Sequence, residues 1–208
     1  MARVLPGSPP SPPFEADERA FVEALRRRER SAEVRFYDRY SDLVERIIAR
    51  IVGVDDELPD LIHEAFVRGL KAIGSLRDPE AITTWVTQIA VSTATDALRR
   101  RQTRRKWFSF VAPAPPDIPV LQDIEGAMDA RAALRWIYEA LRAMPAEERS
   151  AFALRRLEGR DLCDVAALCR CSLATVKRRI ARAEKTFAEL SAKNPALSEW
   201  LREKGGSS

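Results

Sequence analysis

The sequence predicts an all-α fold of two helical domains joined by a proline-rich linker, and three observations carry this prediction. Valine and isoleucine recur at helical spacings and nowhere in the sustained alternation that a strand requires. Nine of the 13 prolines fall within residues 6–13 and 113–119, which cannot be helix interiors. Most of the remaining prolines suit the first position of a helix, as in Asp78-Pro79 and Asn194-Pro195, where a capping side chain precedes the proline.

Local composition divides the 208 residues into five parts. Residues 1–14 form a proline-rich leader that we expect to be disordered, and residues 107–127 have the composition of an interdomain linker. The linker separates a first helical domain over residues 15–106 from a second over residues 128–191. A tail over residues 192–208 follows. Each domain is small enough to be only modestly stable alone.

Composition places the chain among soluble globular proteins, with 46% hydrophobic residues, 32% charged residues and a formal net charge of +4. No apolar stretch approaches the roughly 18 residues that cross a bilayer, and the N-terminus lacks the apolar core of a signal peptide. We therefore expect a cytoplasmic protein without membrane insertion. Three cysteines within residues 163–171 make a poor disulfide framework, so we expect reduced thiols.

The first domain contains three predicted amphipathic helices behind a polar helix over residues 15–30. Apolar residues at three- and four-residue steps predict the first amphipathic helix over residues 36–51, ending near Gly53. The second covers about residues 56–73. The third begins at the Asp78-Pro79 cap and runs to about residue 106.

The third of these helices carries at its outward positions an uncharged polar row that leads into a basic run over residues 99–106. Six of the eight residues in this run are Arg or Lys, and three aromatic residues follow directly. Such a run suits a phosphate backbone with bases stacked beside it. A solvated helix end whose cations favour the C-terminal dipole is the alternative. The polar row consists of Thr83, Thr84, Thr87, Gln88, Ser92 and Thr95.

The helices before it are acidic. The acidic segment, residues 32–66, holds nine acids and four arginines, a net of −5. Such a surface repels DNA and could receive a basic protein partner. Pairing within the helices is the alternative.

The second domain carries a helix-turn-helix pattern. Helices predicted over residues 131–144 and 145–157 precede a short helix over residues 161–168. After a tight turn at residues 169–171, Ser172 caps a helix that continues to about residue 190. A short helix, a tight turn and a capped basic helix are typical of DNA-binding helix-turn-helix modules.

The capped helix has one apolar and one basic face. At about 100° per residue, Ile180, Ala183 and Phe187 share the face of Val176, and Arg178 points away from them. The segment from position 170 to position 185 has six basic residues and one acid, a net of +5. We expect its outer face to contact base edges and phosphates; a merely solubilising helix is the alternative. The opposite charges also predict that this face lies against the acidic segment in the free protein.

No catalytic, metal or cofactor site is predicted. Cys163, Cys169 and Cys171 suit packing better than metal binding, because residues six apart on one helix point in different directions. His63, the single histidine, has no second histidine or nucleophile near it. Phosphate-loop and triad spacings are missing from the sequence.

Two groups of motifs resemble the domains of one protein family. The segments Asp60-Leu-Ile-His-Glu-Ala-Phe66, Leu76-Arg-Asp-Pro-Glu-Ala-Ile-Thr-Thr-Trp85 and Asp96-Ala-Leu-Arg-Arg-Arg101 resemble the sigma-2 domain of extracytoplasmic-function (ECF) sigma factors. Glu158-Gly159 and Ser172-Leu-Ala-Thr-Val-Lys177 are similar to their sigma-4 domain. Helix-turn-helix modules are widespread, but a sigma-2-like segment followed by a sigma-4-like segment in one chain is specific to this family.

The resemblance implies a protein that binds core RNA polymerase and directs it to promoters, and that is not itself an enzyme. It implies contacts with the clamp helices of the largest polymerase subunit and the flap of the second-largest, no cofactor, and an anti-sigma factor as a possible partner. The residues with either contact or supporting roles in polymerase docking would be Asp60, Leu61, His63, Glu64 and Phe66. Those that hold the melted −10 strand would be Arg77, Asp78, Thr84, Thr87, Gln88, Thr95, Arg99 and Arg100. Those at the −35 duplex would be Ser172, Thr175, Lys177, Arg178 and Arg182.

The sequence departs from the family pattern at the helix-turn-helix turn, which usually carries glycine. Here Arg170 occupies that position. The left-handed backbone conformation tolerates arginine less well than glycine, because arginine has a Cβ. The runner-up function is a dimeric helix-turn-helix regulator that binds duplex DNA without core polymerase; a helical adaptor with solvated basic faces is a third. The polar row distinguishes the first two, because duplex binding through sigma-4 alone would not require it.

Overall fold

The computed structural model describes residues 14–107, 137 and 140–192. Within these residues every regular element is a helix or a helical turn, and none is a strand. The all-α fold with two helical domains is therefore confirmed. The proline-rich leader up to residue 13, most of the linker and the tail from residue 193 lie outside the described residues.

Four helices and two short 3₁₀ turns form the first domain. The chain reverses after the first helix at Arg28, whose φ of 58° ends the helix earlier than predicted. The second helix stops at Gly53, where φ is 94°, a conformation that glycine adopts without a Cβ penalty. The helices are α1 (Phe14–Arg26), α2 (Arg30–Val52), α3 (Leu58–Ala72) and α4 (Ile82–Trp107), and the 3₁₀ turns are Ile73–Ser75 and Pro79–Ala81.

The second domain contains the predicted helix-turn-helix and one irregular helix. The segment predicted as a single helix over residues 145–157 is divided into α5 (Ala146–Phe152) and a π-helical turn (Ala153–Leu157). The amide of Glu158 donates to the carbonyl of Ala153 at 3.0 Å, a five-residue step that widens the last turn. Two further helices follow, α6 (Leu162–Leu168) and α7 (Leu173–Ser191).

A continuous hydrophobic core joins the two domains. In the first domain Phe36, Ile47 and Ile82 are buried, and in the second Leu154 and Val165 are buried in the same cluster. A smaller cluster around Leu141, Met144, Phe152 and Ala183 lies within the second domain. The free protein therefore holds its two domains in direct contact.

Candidate nucleic-acid interface

Side-chain caps and a left-handed turn set the geometry of the helix-turn-helix. Asp161 accepts a hydrogen bond from the amide of Asp164 at 2.8 Å, and Ser172 Oγ accepts from the amide of Thr175 at 3.2 Å. Between the two helices Arg170 has a φ of 49°. The turn therefore has the left-handed conformation that usually selects glycine, even though arginine occupies it.

The two faces of α7 lie as the sequence predicts. Val176 and Ile180 are buried, whereas Lys177, Arg178 and Arg182 are exposed. Ser172 is exposed, and Thr175 is half-buried with its hydroxyl 2.9 Å from that of Ser172. These two side chains thus build the helix N-terminus, beside which the basic side chains project into solvent.

The five residues suggested for polymerase docking divide between the surface and the core. Asp60 and His63 are exposed on α3. Leu61 and Phe66 are buried, and the Phe66 ring packs edge-on against Phe36 with centroids 5.5 Å apart. The aromatic core of α2 and α3 encloses Leu61 and Phe66, so their burial fits the supporting role that the resemblance leaves open and not the contact role.

Glu64, the fifth of these residues, holds two cations. Its carboxylate lies 2.5 Å from Arg68 Nη2 and 3.0 Å from Arg100 Nη2. A second nitrogen of Arg100 donates to the other carboxylate oxygen at 3.3 Å. Glu64 therefore joins α3 to the basic run of α4.

The loop before α4 presents Arg77 and Asp78 to solvent. Asp78 accepts a hydrogen bond from the amide of Glu80 at 3.1 Å and so caps the turn that opens α4. On the other side, Arg26 of α1 donates to the carbonyl of Leu76 at 2.5 Å. The sequence predicted α1 only as a polar helix and missed this anchoring role, since an arginine at a helix end carries no signal for a distant carbonyl.

The polar row of α4 does not lie on one exposed face. Thr84 is exposed, but Thr87 is buried, with 3% of its surface accessible. Its hydroxyl donates to the carbonyl of Thr83 at 2.8 Å, which lets it stay inside the protein. The prediction that Thr87 points outward is wrong, because α4 packs against several elements and buries a wider arc than an amphipathic stripe.

Farther along α4, the row contacts the second domain. Gln88 Nε2 donates to the carbonyl of Ala167 at 3.2 Å, and Thr95 Oγ1 lies 2.8 Å from Ser150 Oγ. Arg99 follows, and its Nε donates to a carboxylate of the second domain at 2.7 Å. The sequence did not predict this contact.

That carboxylate belongs to Glu147. Burial acts to raise the pKa of this carboxyl. The hydrogen bonds from Arg99 and from the Glu147 backbone amide act in the opposite direction, as do the charges of Arg99 and Arg179. Together they outweigh burial and hold the pKa of Glu147 below its usual range. A cavity of about 190 Å³ opens beside this pair, between α4 and the turn at Arg170. Charged side chains therefore face one another across the domain boundary.

The basic run pairs with the acidic segment. Arg101 Nη2 lies 2.8 Å from Glu57 Oε2, and Arg104 Nη2 lies 3.3 Å from the other oxygen of Glu57. With the Arg100–Glu64 pair, these contacts connect α4 to the start of α3. Part of the acidic segment's charge, at Asp55, Glu57 and Glu64, is therefore paired with the chain's own arginines.

A buried arginine joins the domains at the end of α2. Arg149, with 4% of its surface accessible, donates to the carbonyls of Ile51 and Val52 at 2.6 and 2.8 Å. Beside it, Arg50 Nε lies 2.7 Å from Glu158 Oε1 in an ion pair. The domains therefore meet through α5 and the π-helical turn. The prediction that the basic face of α7 lies against the acidic segment is wrong, since that face stays exposed.

Comparison with known families shows two matches in tandem. Residues 36–104 match the family model described as Sigma-70 region 2, and residues 134–187 match Sigma-70, region 4. Relatives named ECF sigma factors match the chain across most of its length.

The chain belongs to the ECF sigma factors.

Two relatives illustrate the extent of the similarity. The ECF RNA polymerase sigma-E factor of Haemophilus influenzae is 29% identical over 174 residues, which cover 81% of this chain and 92% of that protein. The RNA polymerase sigma-H factor of Pseudomonas aeruginosa is 29% identical over 204 residues, covering 89% and 96%. As a sigma factor, the protein binds core RNA polymerase and promoter DNA and directs transcription initiation, which disfavours a regulator that acts without polymerase.

Two solved structures share the fold. CnrH, in complex with the cytosolic domain of CnrY, has a TM-score of 0.55 at 16% identity, over 85% of this chain and 98% of that chain. The sigma factor RpoE of Bartonella quintana, in complex with the anti-sigma factor NepR, has a TM-score of 0.55 at 20% identity, over 75% and 94%. Both similarities support the two-domain helical architecture of this sigma factor.

The cysteines of this sigma factor lie around the helix-turn-helix turn. Cys163 is exposed, whereas Cys169 and Cys171 pack against the core. Burial raises the pKa of the Cys169 thiol to about 11, so that this thiol stays protonated at neutral pH. Across the part of the chain that the structure describes, no three His, Cys, Asp or Glu side chains form a group that could hold a metal ion, and no helix is long and apolar enough to span a membrane.

Proposed function

We propose that this sigma factor uses three separate surfaces in the cytoplasm to start transcription. The exposed face of α3 docks on the clamp helices of the largest polymerase subunit. The loop before α4 and the outer row of α4 hold the melted −10 strand. The N-terminal half of α7 reads the −35 duplex, while the second domain contacts the flap of the second-largest subunit. The two domains correspond to residues 15–106 and 128–191.

The observation that carries this proposal is the exposed basic end of α7 behind a capped, tight turn. Lys177, Arg178 and Arg182 project from a helix whose opposite face is buried. A helix-turn-helix reads DNA by placing the N-terminal part of its second helix in the major groove, where cations reach guanine edges and phosphates. The geometry of α7 supports that role in this chain.

For the −10 strand, support comes from the start of α4. Arg77 and Asp78 are exposed in the loop, and Thr84 is exposed in the first turn of α4. The loop is fixed by the Arg26 hydrogen bond to Leu76 and by the Asp78 cap. A fixed loop next to a helix with polar side chains can receive bases that are already unstacked from the duplex.

For polymerase docking, Asp60 and His63 are the exposed residues of the suggested set. Both lie on α3, one turn apart, and Leu61 and Phe66 hold that helix in the core. An acidic side chain on a rigid helix suits a basic face on the partner. Asp60 is the better residue to test, because Glu64 also pairs with Arg68 and Arg100 inside this protein.

The decisive experiment combines the purified chain with core polymerase on a genomic template library. We expect defined start sites with the chain present and none with polymerase alone. Association without start-site selection would contradict the promoter-reading surfaces, and a failure to associate would contradict the proposal as a whole.

A charge reversal tests the docking face separately. Asp60→Lys should weaken association with polymerase at least tenfold, because it places like charges at the contact. Glu189→Lys is the matched control, since Glu189 is exposed on α7 in the other domain. Equal affinities for the two variants would remove α3 from the interface.

A further inference from the structure

We propose that the cavity between α4 and the turn of the helix-turn-helix binds inorganic phosphate. The cavity has a volume of about 190 Å³, and residues of both domains form its wall. Pockets that hold drug-sized ligands measure about 300–1,000 Å³, so this cavity suits a small ion. The inference goes beyond the polymerase and promoter contacts of the proposed function and does not depend on them.

The wall of the cavity carries a net positive charge. Three arginines and two acids line it, a net of +1. The acids are already paired, because Arg99 donates to Asp96 at 3.0 Å and to Glu147 at 2.7 Å. The remaining cations are the two arginines of the second domain, Arg170 and Arg179, and an anion is the ligand that would neutralise them.

Arg179 has few acceptors for its donors. It is half-buried on α7, and within the described residues its side chain makes one hydrogen bond, from Nη1 to the sulfur of Cys171 at 3.4 Å. Sulfur is a weak acceptor, whereas a guanidinium has five N–H donors in a fork that matches the oxygens of phosphate. Arg179 therefore has donors left for an anion in the cavity.

Arg170 occupies a backbone position that favours glycine. Its φ of 49° is left-handed, and strained positions of this kind occur preferentially at functional sites. The side chain lines the cavity, and in the part of the chain that the structure describes it pairs with no carboxylate. An anion in the cavity would give this side chain a partner that offsets the cost of its backbone conformation.

The other polar groups of the wall favour an anion that carries a proton. Thr95 and Ser150 donate their hydroxyl hydrogens to the carbonyls of Val91 and Ala146, at 2.7 and 2.9 Å, so their oxygens are left as acceptors. Glu147 is also an acceptor, because its low pKa keeps the carboxylate ionised at neutral pH. Hydrogen phosphate can accept from the guanidiniums and donate its own O–H to these groups, whereas sulfate has no proton to donate.

The site exists only in the whole chain, because the two domains share it. Arg99 and Thr95 belong to α4 of the first domain, and Arg170 and Arg179 belong to the second. A ligand that binds groups of both domains stabilises their contact in proportion to its concentration. Binding must therefore be measured on the full-length protein.

Isothermal titration calorimetry of the full-length chain tests the proposal. Sodium phosphate, sodium sulfate and sodium dimethyl phosphate are titrated separately at pH 7.5 and constant ionic strength, without polymerase or DNA. We expect one phosphate per chain with a Kd of about 1 mM or tighter. Sulfate should bind at least tenfold more weakly, because it leaves the acceptors of the wall without a donor.

Dimethyl phosphate distinguishes a free phosphate ion from the backbone of DNA. It is a phosphodiester without an O–H, and it should also bind at least tenfold more weakly than phosphate. Absence of phosphate binding, or equal affinities for phosphate and sulfate, would overturn the proposal. A preference for dimethyl phosphate would overturn it as well and would assign the cavity to a DNA backbone contact.

Two arginine variants locate the binding in the cavity. Arg170→Gly and Arg179→Met should each weaken phosphate binding at least tenfold, since each removes a charged donor. Glycine suits the left-handed backbone at position 170, so this variant keeps the fold, and circular dichroism checks both proteins. Lys185→Met removes a cation that is 78% exposed on α7 and should leave the Kd unchanged. Unchanged affinity in both arginine variants would overturn the assignment of phosphate to this cavity.

Discussion

Arg149 donates a hydrogen bond from Nε to the backbone carbonyl of Ile51 at 2.6 Å, across the boundary between the two domains. Its Nη2 reaches the next carbonyl, that of Val52, at 2.8 Å. Both acceptors belong to the last turn of α2, where carbonyls have no partner within the helix. One side chain of the second domain thus completes a helix of the first.

Replacing this arginine should destabilise the protein more than replacing an exposed cation. Arg149→Met keeps the apolar stem but leaves two carbonyls without their donors, and we expect a loss of about 2 to 4 kcal/mol in the free energy of unfolding. Urea denaturation followed by circular dichroism measures it. Lys185→Met removes a cation that is 78% exposed and should change stability by no more than about 0.5 kcal/mol. Similar losses in both variants would contradict the structural role of Arg149.

The contact between Arg99 and Glu147 should weaken in acid. The pKa of Glu147 is held below its usual range, so its contribution to domain contact is complete above the unfolded value, about 4.3, and is lost as the pH falls through the folded value. Small-angle scattering between pH 7 and pH 3.5 should show expansion of the wild-type particle.

Glu147→Gln provides the control for this titration. The amide cannot ionise, so the variant should already be more open at pH 7 and should expand less between pH 7 and pH 3.5. Parallel expansion of both proteins would show that other carboxylates, such as Glu57 in the first domain, determine the acid response.

Local patterns predicted the helices and both faces of α7, because a 3.6-residue period and a side-chain cap are local properties. The same local patterns gave wrong predictions where contacts between distant parts of the chain decide whether a side chain is buried or exposed. Thr87 follows the same polar pattern as Thr84, yet packing on several sides of α4 buries it. Gln88 and Thr95 were assigned to an open surface, but a second domain more than 50 residues away in the sequence covers them.

Arg149 shows the same limit for a charged residue. It lies four residues after the predicted helix start, where an arginine normally faces solvent, and its acceptors are about 100 residues earlier in the chain. The π-helical turn (Ala153–Leu157) likewise has no distinctive residue type. For Arg149 the deciding partners are backbone carbonyls of another helix, which the sequence of its own segment does not contain.

The turn of the helix-turn-helix should gain stability from glycine. Arg170 has a φ of 49°, a left-handed conformation that costs a residue with a Cβ about 1 kcal/mol or more, partly offset by the greater unfolded-state freedom of glycine. Arg170→Gly should therefore raise the free energy of unfolding by about 0.5 kcal/mol. Arg178→Gly, inside α7, should lower it by about 1 kcal/mol. If Arg170→Gly destabilised the protein as much as Arg178→Gly, contacts of the arginine side chain would outweigh its backbone strain.

Binding of α7 to promoter DNA should depend on salt through its exposed cations. Each phosphate contact contributes about 0.9 to the slope of log affinity against log salt concentration, so Arg178→Ala should reduce the magnitude of that slope by about one if the guanidinium contacts a phosphate. Fluorescence anisotropy with a −35 duplex, chosen from the mapped start sites, measures the slope between 50 and 300 mM salt. Arg27→Ala removes the same charge from the end of α1 and should leave the slope unchanged. An equal slope for Arg178→Ala and wild type, with sequence preference also unaltered, would exclude Arg178 from the DNA contact. A changed preference at one base pair with an unchanged slope would instead assign its guanidinium to a base edge.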